Sequence, residues 1–258
     1  MLHKKKIKIK WDYSNLARHY DFRADYSPKL IKRILLITKC KKNYPVADIG
    51  AGTGKLTKLL CKFGLIVNAI EPNKNMMFYG KKNTKLFNNL NWSTGSGEVT
   101  GLKDNSIHCV FFGSSFNTLN YKKAAMEIKR FVVKNGYFCC MWNYRVLNNK
   151  HQTNIEKIIL KNKPDYKYGD RRIDYKNLLK KLKIFIKVRK ISQRFNVKVK
   201  KKDFIRGWRS HGTLRKNCSS QKQFNIIIKL IGKYISSIKK EYINIKYDNV
   251  AYVAKLKQ

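Results

Sequence analysis

The sequence lacks any Cys-x-x-Cys pair. Its six cysteines, Cys40, Cys61, Cys109, Cys139, Cys140 and Cys218, follow no metal-ligand spacing, which excludes a cysteine-built metal site or dithiol motif and leaves no metal in the reading. Cys109, Cys139 and Cys140 lie in apolar, strand-like runs and read as small hydrophobes, as expected of a protein kept in a reducing cytoplasm. No run reaches the ~18 apolar residues that a membrane span needs. The basic start "MLHKKKIKIK" is followed by no apolar stretch of secretory length, so neither a span nor a leader is expected. Internal repeats are missing too, and no linker divides the chain, so 258 residues are read as one domain.

Acidic residues are scarce: 15 Asp and Glu stand against 58 Lys and Arg, a formal net charge of +43. The excess is lysine, spread over the whole chain and accompanied by Ile and Asn, the pattern of an AT-rich coding sequence. Such a field still predicts nonspecific, salt-sensitive adhesion to nucleic acid or acidic surfaces. Hydrophobic residues at 43% and aromatics at 12% place the chain well above disordered compositions.

What is present is an alternation of strands and helices. Ser27-Pro28 is a cap with a first-turn proline, and Leu30, Ile31, Ile34 and Leu35 repeat at helical spacing as far as Cys40. "VADIG" then reads as a buried strand, and Leu56, Leu59 and Leu60 give the next helix an apolar face that Gly64 ends. "LIVNAI" is a second strand, completing a βαβ unit. Further on, "SIHCVFFG" is a strand, "YKKAAMEIKRFVV" an amphipathic helix, Asn135-Gly136 a left-handed turn and "YFCCMWN" a strand. Beyond Arg145 a polar, Lys-rich stretch intervenes before "FNVKVK", a helix carrying Phe224, Ile227, Ile228, Ile231 and Ile235, and a closing "VAYVAKL" strand. The divisions expected are an N-terminal cap over 11–44, a cofactor-binding core over 45–145, a lid or substrate region over 146–215, and a closing helix and strand over 216–258.

Between the first strand and its helix lie Gly50, Gly52 and Gly54, preceded by Asp48. This G-x-G-x-G differs from the dinucleotide fingerprint, and Lys55 lacks the following Ser or Thr of a P-loop. A carboxylate at the mouth of the first strand would repel a pyrophosphate but suits a ligand that carries an ammonium group and no phosphate. S-adenosylmethionine is such a ligand. Glu71, at the end of the second strand, is placed to accept hydrogen bonds from the ribose hydroxyls of an adenosine.

Through "DIGAGTGKLTKLL", "VNAIEPNKNMM", "GSGEVTGLKDNSIHCV" and "EIKRFVVKNGYFCCMWN", in order, residues 11–145 resemble the class I S-adenosylmethionine-dependent methyltransferases. The resemblance is closest to the small-molecule branch that carries a cap, here "YDFRADYSP", ahead of the glycine loop. It implies an α/β Rossmann-like fold with a central, mostly parallel seven-stranded sheet flanked by helices, an N-terminal cap and an inserted lid. It further implies that Gly50, Ala51, Gly52 and Gly54 line the methionine portion of the cofactor, that Asp48 orients the loop or the amino group, and that Glu71 grips the ribose. Pro72 and Met76 would flank the adenine. Ser96 stands where many members carry an Asp that contacts the adenine amino group, with Gly97 and Glu98 beside it, and His108 replaces the usual strand Asp. Ser114, Ser115 and Phe116 follow the fourth strand, where cofactor and acceptor are expected to meet, and Tyr13, Tyr20 and Arg23 read as a lid with the guanidinium on the cofactor carboxylate.

A sulfonium methyl is already activated, so such an enzyme aligns an acceptor atom in line with it and excludes water, forming S-adenosylhomocysteine as product. If a base is needed, the candidates are His211, His19 and Tyr20. The acceptor expected is a small molecule. The stretch "FFGSSFNTL" has no [DN]-P-P-[YF], as amino-directed base methylation requires, and no cysteine follows a proline, as cytosine C5 chemistry requires. An RNA (tRNA) methyltransferase and a non-catalytic binding module with the same fold are the alternatives.

Overall fold

The computed structural model describes residues 16–168 and 172–257. In chain order its elements are α1 (Ala17–Tyr20), α2 (Pro28–Ile37), β1 (Pro45–Ile49), α3 (Lys55–Lys62), β2 (Ile66–Ile70), α4 (Lys74–Asn83), β3 (Leu90–Ser93) and β4 (Ile107–Gly113). There follow α5 (Tyr121–Phe131), β5 (Val132–Arg145), α6 (Lys150–Asn162), α7 (Tyr175–Lys181), β6 (Phe185–Lys200), α8 (Lys201–Arg209), α9 (Gly212–Asn217), α10 (Gln221–Ser236) and β7 (Tyr242–Leu256). Polar side chains start most of the longer helices. Ser27, Asn73, Asn120, Asn149 and Ser220 each accept a hydrogen bond from a first-turn amide that has no partner within its helix.

The strands form one seven-stranded sheet in the order β3-β2-β1-β4-β5-β7-β6. Its first five strands are parallel, and β7 runs antiparallel to both β5 and β6. Period-two alternation sends neighbouring side chains to opposite faces. Val46, Cys109, Phe111, Cys139, Met141 and Val253 pack under α2 and α3, whereas Ala47, Val110, Phe112, Cys140, Trp142 and Tyr252 pack against α5 and α7. Adjacent Cys139 and Cys140 therefore belong to different cores. Both are fully buried, and each thiol is pushed above its ordinary range by burial.

A third apolar cluster lies beyond the sheet proper, where α6, α8 and α10 pack on the extended end of β7 through Ile155, Ile159, Trp208, Ile227, Ile231, Ile243 and Ile245. This cluster stands above the carboxyl edge of the parallel strands and roofs the crevice between β1 and β4, where the strand order reverses.

Several local features differ from the sequence expectation. The α2 helix ends at Ile37 rather than Cys40, because Lys39 takes a positive φ of 53° and the Cys40 amide donates back to the Leu35 carbonyl. Val132 and Val133, expected to end the α5 helix, open β5, as suits β-branched residues. Asn135 has a φ of +63°, yet it sits inside β5 near a shift of pairing register rather than in a turn between elements. Residues 185–200, counted with the lid, are the edge strand of the sheet. His108 faces the amino edge, its Nε2 2.9 Å from the Thr38 carbonyl, away from the crevice. Among the described residues no helix is long and apolar enough to cross a membrane.

Candidate active site

The crevice floor is the turn between β1 and α3. Gly50, Gly52 and Gly54 have φ of +68°, +60° and +81°, the left-handed region that strains a side-chain-bearing residue. A Cβ on Gly50 would stand 2.6 Å from Ser115 Cβ, and one on Gly52 would stand 3.2 Å from Met76 Cε. The turn is thus fixed by both backbone conformation and close packing. It is tied to β2 by the Gly50 and Ala51 amides, which donate to the Ile70 carbonyl at 2.8 and 3.1 Å. Glu71 receives the Gly52 amide at 2.8 Å on one carboxylate oxygen and the Asn73 amide at 2.9 Å on the other. Burial raises its pKa, and those two amide bonds oppose the rise.

Asp48 is fully buried beneath the turn. Its Oδ2 accepts from the Thr57 hydroxyl at 2.7 Å, while Oδ1 is buried without a partner. Desolvation pushes its pKa up to about 7, the Thr57 hydrogen bond resists, and the charge of Glu71 adds to the rise. A carboxylate with one unmet oxygen, poised near neutrality, awaits a cation or hydrogen-bond donor.

A cavity of about 130 Å³ opens over this floor. Asp48, Gly50, Ala51, Gly52, Ser114, Tyr20, Arg23 and His211, all expected from the sequence, line it together. Arg23 stacks over the Tyr20 ring at 4.3 Å, its Nε donates to the Ser210 hydroxyl at 2.9 Å, and a second guanidinium nitrogen donates to the Ser210 carbonyl. These contacts fasten the N-terminal segment to the end of α8. His211 stacks on Trp208 at 4.7 Å, and its Nδ1 accepts the Leu214 amide, so that nitrogen caps α9 and holds no proton to exchange.

Other expected residues lie outside the cavity. Gly54 and Met76 support the turn, Glu71 stands behind it, and Pro72 is half-buried next to it. Ser96 closes a tight turn by accepting the Glu98 and Val99 amides, Gly97 packs against Leu119, and Glu98 accepts the Asn120 amide. Ser115 donates to the Ile49 carbonyl at 2.5 Å and braces the glycine turn. Phe116 corrects the sequence reading: the chain turns back after Ser115, and the ring is fully buried among Phe112, Phe138 and Tyr121. His19 is also corrected, since it lies on α1 beside Arg18, with its pKa lowered by burial and neighbouring arginines, and does not line the cavity. Tyr13 lies outside the described residues.

The sequence reading missed the cavity's upper half. Asn143, Tyr144 and Arg145 come from the end of β5, Gln152 and Glu156 from α6, Tyr166 and Tyr168 from the loop after it, and Arg172 follows. The Asn143 amide donates to the Ala24 and Asp25 carbonyls and leaves its Oδ1 buried without a partner. Tyr168 donates to Glu156 at 2.6 Å, and Gln152 donates to the other Glu156 oxygen. Only Asn143 had a signal, its place at the carboxyl end of a central strand.

Comparison with known proteins places these features in a family context. A methyltransferase domain matches residues 47–140. An uncharacterised methyltransferase of Schizosaccharomyces pombe is 26% identical over 133 residues, 51% of this chain and 52% of that protein. The chain spans about half the length of the first curated relatives it matches. Among solved structures, a proposed type II methyltransferase of Anaeromyxobacter dehalogenans superposes with a TM-score of 0.66 at 11% identity, over 90% of this chain and 97% of that one. The phosphoethanolamine N-methyltransferase 2 of Haemonchus contortus, solved with phosphomonomethylethanolamine and S-adenosylhomocysteine, superposes with a TM-score of 0.57 at 12% identity, over 98% of this chain and 61% of that one. The chain has a Rossmann-like fold like that of the class I methyltransferases, and its residues 47–140 match a methyltransferase domain.

Proposed function

We propose that the protein is an S-adenosylmethionine-dependent methyltransferase that acts on a small-molecule acceptor. The observation that carries this reading is the buried Asp48 carboxylate, with Oδ1 unpartnered, under a glycine turn too close-packed for side chains and facing a cavity. These residues fit the cofactor. The turn presents backbone along the cavity floor, and Asp48 offers an anion to an ammonium or sulfonium group. Glu71, behind the turn, holds the Gly52 and Asn73 amides with one oxygen each and so fixes the turn that would carry the cofactor.

When bound, the cofactor supplies an electrophilic methyl on a positively charged sulfur. An acceptor lone pair would take that methyl, the carbon–sulfur electron pair being left on sulfur. The protein's share is alignment and exclusion of water. The Arg23–Ser210 contact and the Asn143 bonds to Ala24 and Asp25 hold the N-terminal segment against the cavity. Tyr166, Tyr168, Thr213 and His211 roof it. A cavity of about 130 Å³ with side chains gathered over it suits a small acceptor better than a polymer, which supports the small-molecule reading over RNA. The product S-adenosylhomocysteine lacks the sulfonium charge.

Equilibrium dialysis with methyl-tritiated S-adenosylmethionine tests the proposal. One equivalent bound per chain, displaced by S-adenosylhomocysteine and unaffected by NADH, is the expected result. Absence of saturable binding overturns it.

A further inference from the structure

The upper half of the cavity carries unmet hydrogen-bonding groups of both kinds. Arg145, the last residue of β5, lays its guanidinium over the Trp208 ring at 4.1 Å, and its Nε is buried with no hydrogen-bond partner. None of the ion pairs found among the described residues includes it. Arg172 reaches the same region. It donates to the Arg145 carbonyl at 3.1 Å and lies 5.2 Å from the Tyr144 ring and 5.1 Å from the Tyr168 ring. Gln152 Oε1 and Asn143 Oδ1, also cavity-lining, are buried acceptors without a donor.

A buried N–H on a cation is costly while unsatisfied, and so are two buried amide oxygens. One ligand can satisfy both sets if it presents an anion to one and an N–H or O–H to the other. The acidic side chains here do not meet the arginine's need. Asp48 lies beneath the glycine turn on the floor and is in no ion pair with Arg145, and Glu156 is engaged by Tyr168 and Gln152. Other cavity cations are also occupied, with Lys55 on Asp25 at 2.6 Å and Arg23 on Ser210.

We infer that the chamber selects an acceptor bearing an anionic group, a carboxylate or a phosphate, which Arg145 binds, together with an amine or hydroxyl hydrogen that Gln152 and Asn143 accept. The inference rests on the methyltransferase reading for the word acceptor, but the anion site can be tested by itself. Tyrosine rings around Arg172 give the ligand an aromatic wall, and Arg145 gives it a directional N–H donor rather than the diffuse attraction of surface lysines.

Sodium phosphate and sodium benzoate are the two probes, titrated separately into nitrogen-15-labelled protein at constant ionic strength, with and without S-adenosylhomocysteine. The Arg145 Nε–H and Trp208 Nε1–H signals are the reporters. The expected result is a saturable shift of both with at least one anion, phosphate alone indicating a phosphate ester and benzoate alone a carboxylate. In Arg145→Gln the Trp208 response is expected to weaken at least tenfold. Arg145→Lys, which retains charge and stem but not the Nε–H, should weaken it severalfold and guards against loss of packing in the glutamine variant. Shifts that do not saturate, or a Trp208 titration unchanged in both variants, overturn the anion site. If S-adenosylhomocysteine fails to bind while the anion titration succeeds, the methyltransferase reading falls and the anion site stands.

Discussion

The floor and the roof of the cavity are built in different ways. The floor, from Asp48 to Glu71, is one short βαβ stretch whose recognition groups are largely backbone, held by left-handed glycines and by amides bonded to Ile70 and Glu71. The roof is assembled from β5, α6, the loop after it and α9, and its groups are side chains with aromatic and charged heads. Backbone recognition suits a ligand that never changes. Side-chain recognition can be altered one residue at a time without disturbing the sheet, so under the proposed function the roof is where acceptor choice would be set.

The sharpest way to break this division is at the glycines. Gly52→Val places a β-branched side chain at a φ of +60° against Met76, and it should cost S-adenosylmethionine binding by about 100-fold, on the order of 3 kcal/mol. Calorimetry on the folded variant measures it, and binding within threefold of wild type would show that the turn does not cradle the cofactor. Asp48→Asn should act in opposite directions on affinity and stability. In the ligand-free protein the carboxyl pKa is raised from 3.8 to about 7, so the folded state holds a proton that the unfolded state releases. That contribution is present below pH 4 and lost as pH rises towards 7, destabilising by up to ~4 kcal/mol above it. The amide variant escapes this loss and should melt higher at pH 8, while binding the cofactor 10–100-fold more weakly. A lower melting temperature at pH 8 would contradict the buried charge.

Much of the floor was legible because its signals are local. Strand, glycines and terminal acid fall within a few turns of chain, and each residue type answers a stated conformational or electrostatic need. Apart from His211 and the general expectation of a lid over 146–215, the roof gave no such signal. Gln152, Glu156, Tyr166 and Tyr168 sit in a Lys-rich stretch whose polar character hides their convergence, and α6 brings its pair to the cavity only by packing on the third apolar cluster. The first half of β6 was illegible for a related reason, since an edge strand exposes much of both faces and alternates weakly. Phe116 misled the reading in the other direction. Its position after β4 predicted the crevice, but a single 3₁₀ turn sends the ring back into the core.

Two smaller effects sharpen the comparison. Glu71→Ala should weaken S-adenosylmethionine by about 1–3 kcal/mol through lost charge-assisted bonds, including those that hold the Gly52 and Asn73 amides, with the fold retained by circular dichroism. Tyr168→Phe, a roof change that frees one Glu156 oxygen, should leave cofactor affinity within twofold by calorimetry. An equal loss from both variants would erase the distinction between floor and roof. The weakest effect concerns the +43 charge: retention on immobilised tRNA should vanish at moderate salt, whereas survival there would favour an RNA acceptor.

The central claim is that ionised Asp48 holds a cationic, phosphate-free nucleoside ligand. Calorimetric titration of nucleic-acid-free protein with S-adenosylmethionine at pH 8 and pH 6, with NADH in parallel, tests it most directly. The account predicts saturable binding of S-adenosylmethionine alone, several-fold weaker at pH 6, where the ligand-free carboxyl with its pKa of about 7 is mostly protonated. Binding of NADH, or S-adenosylmethionine affinity equal at the two pH values, would contradict it.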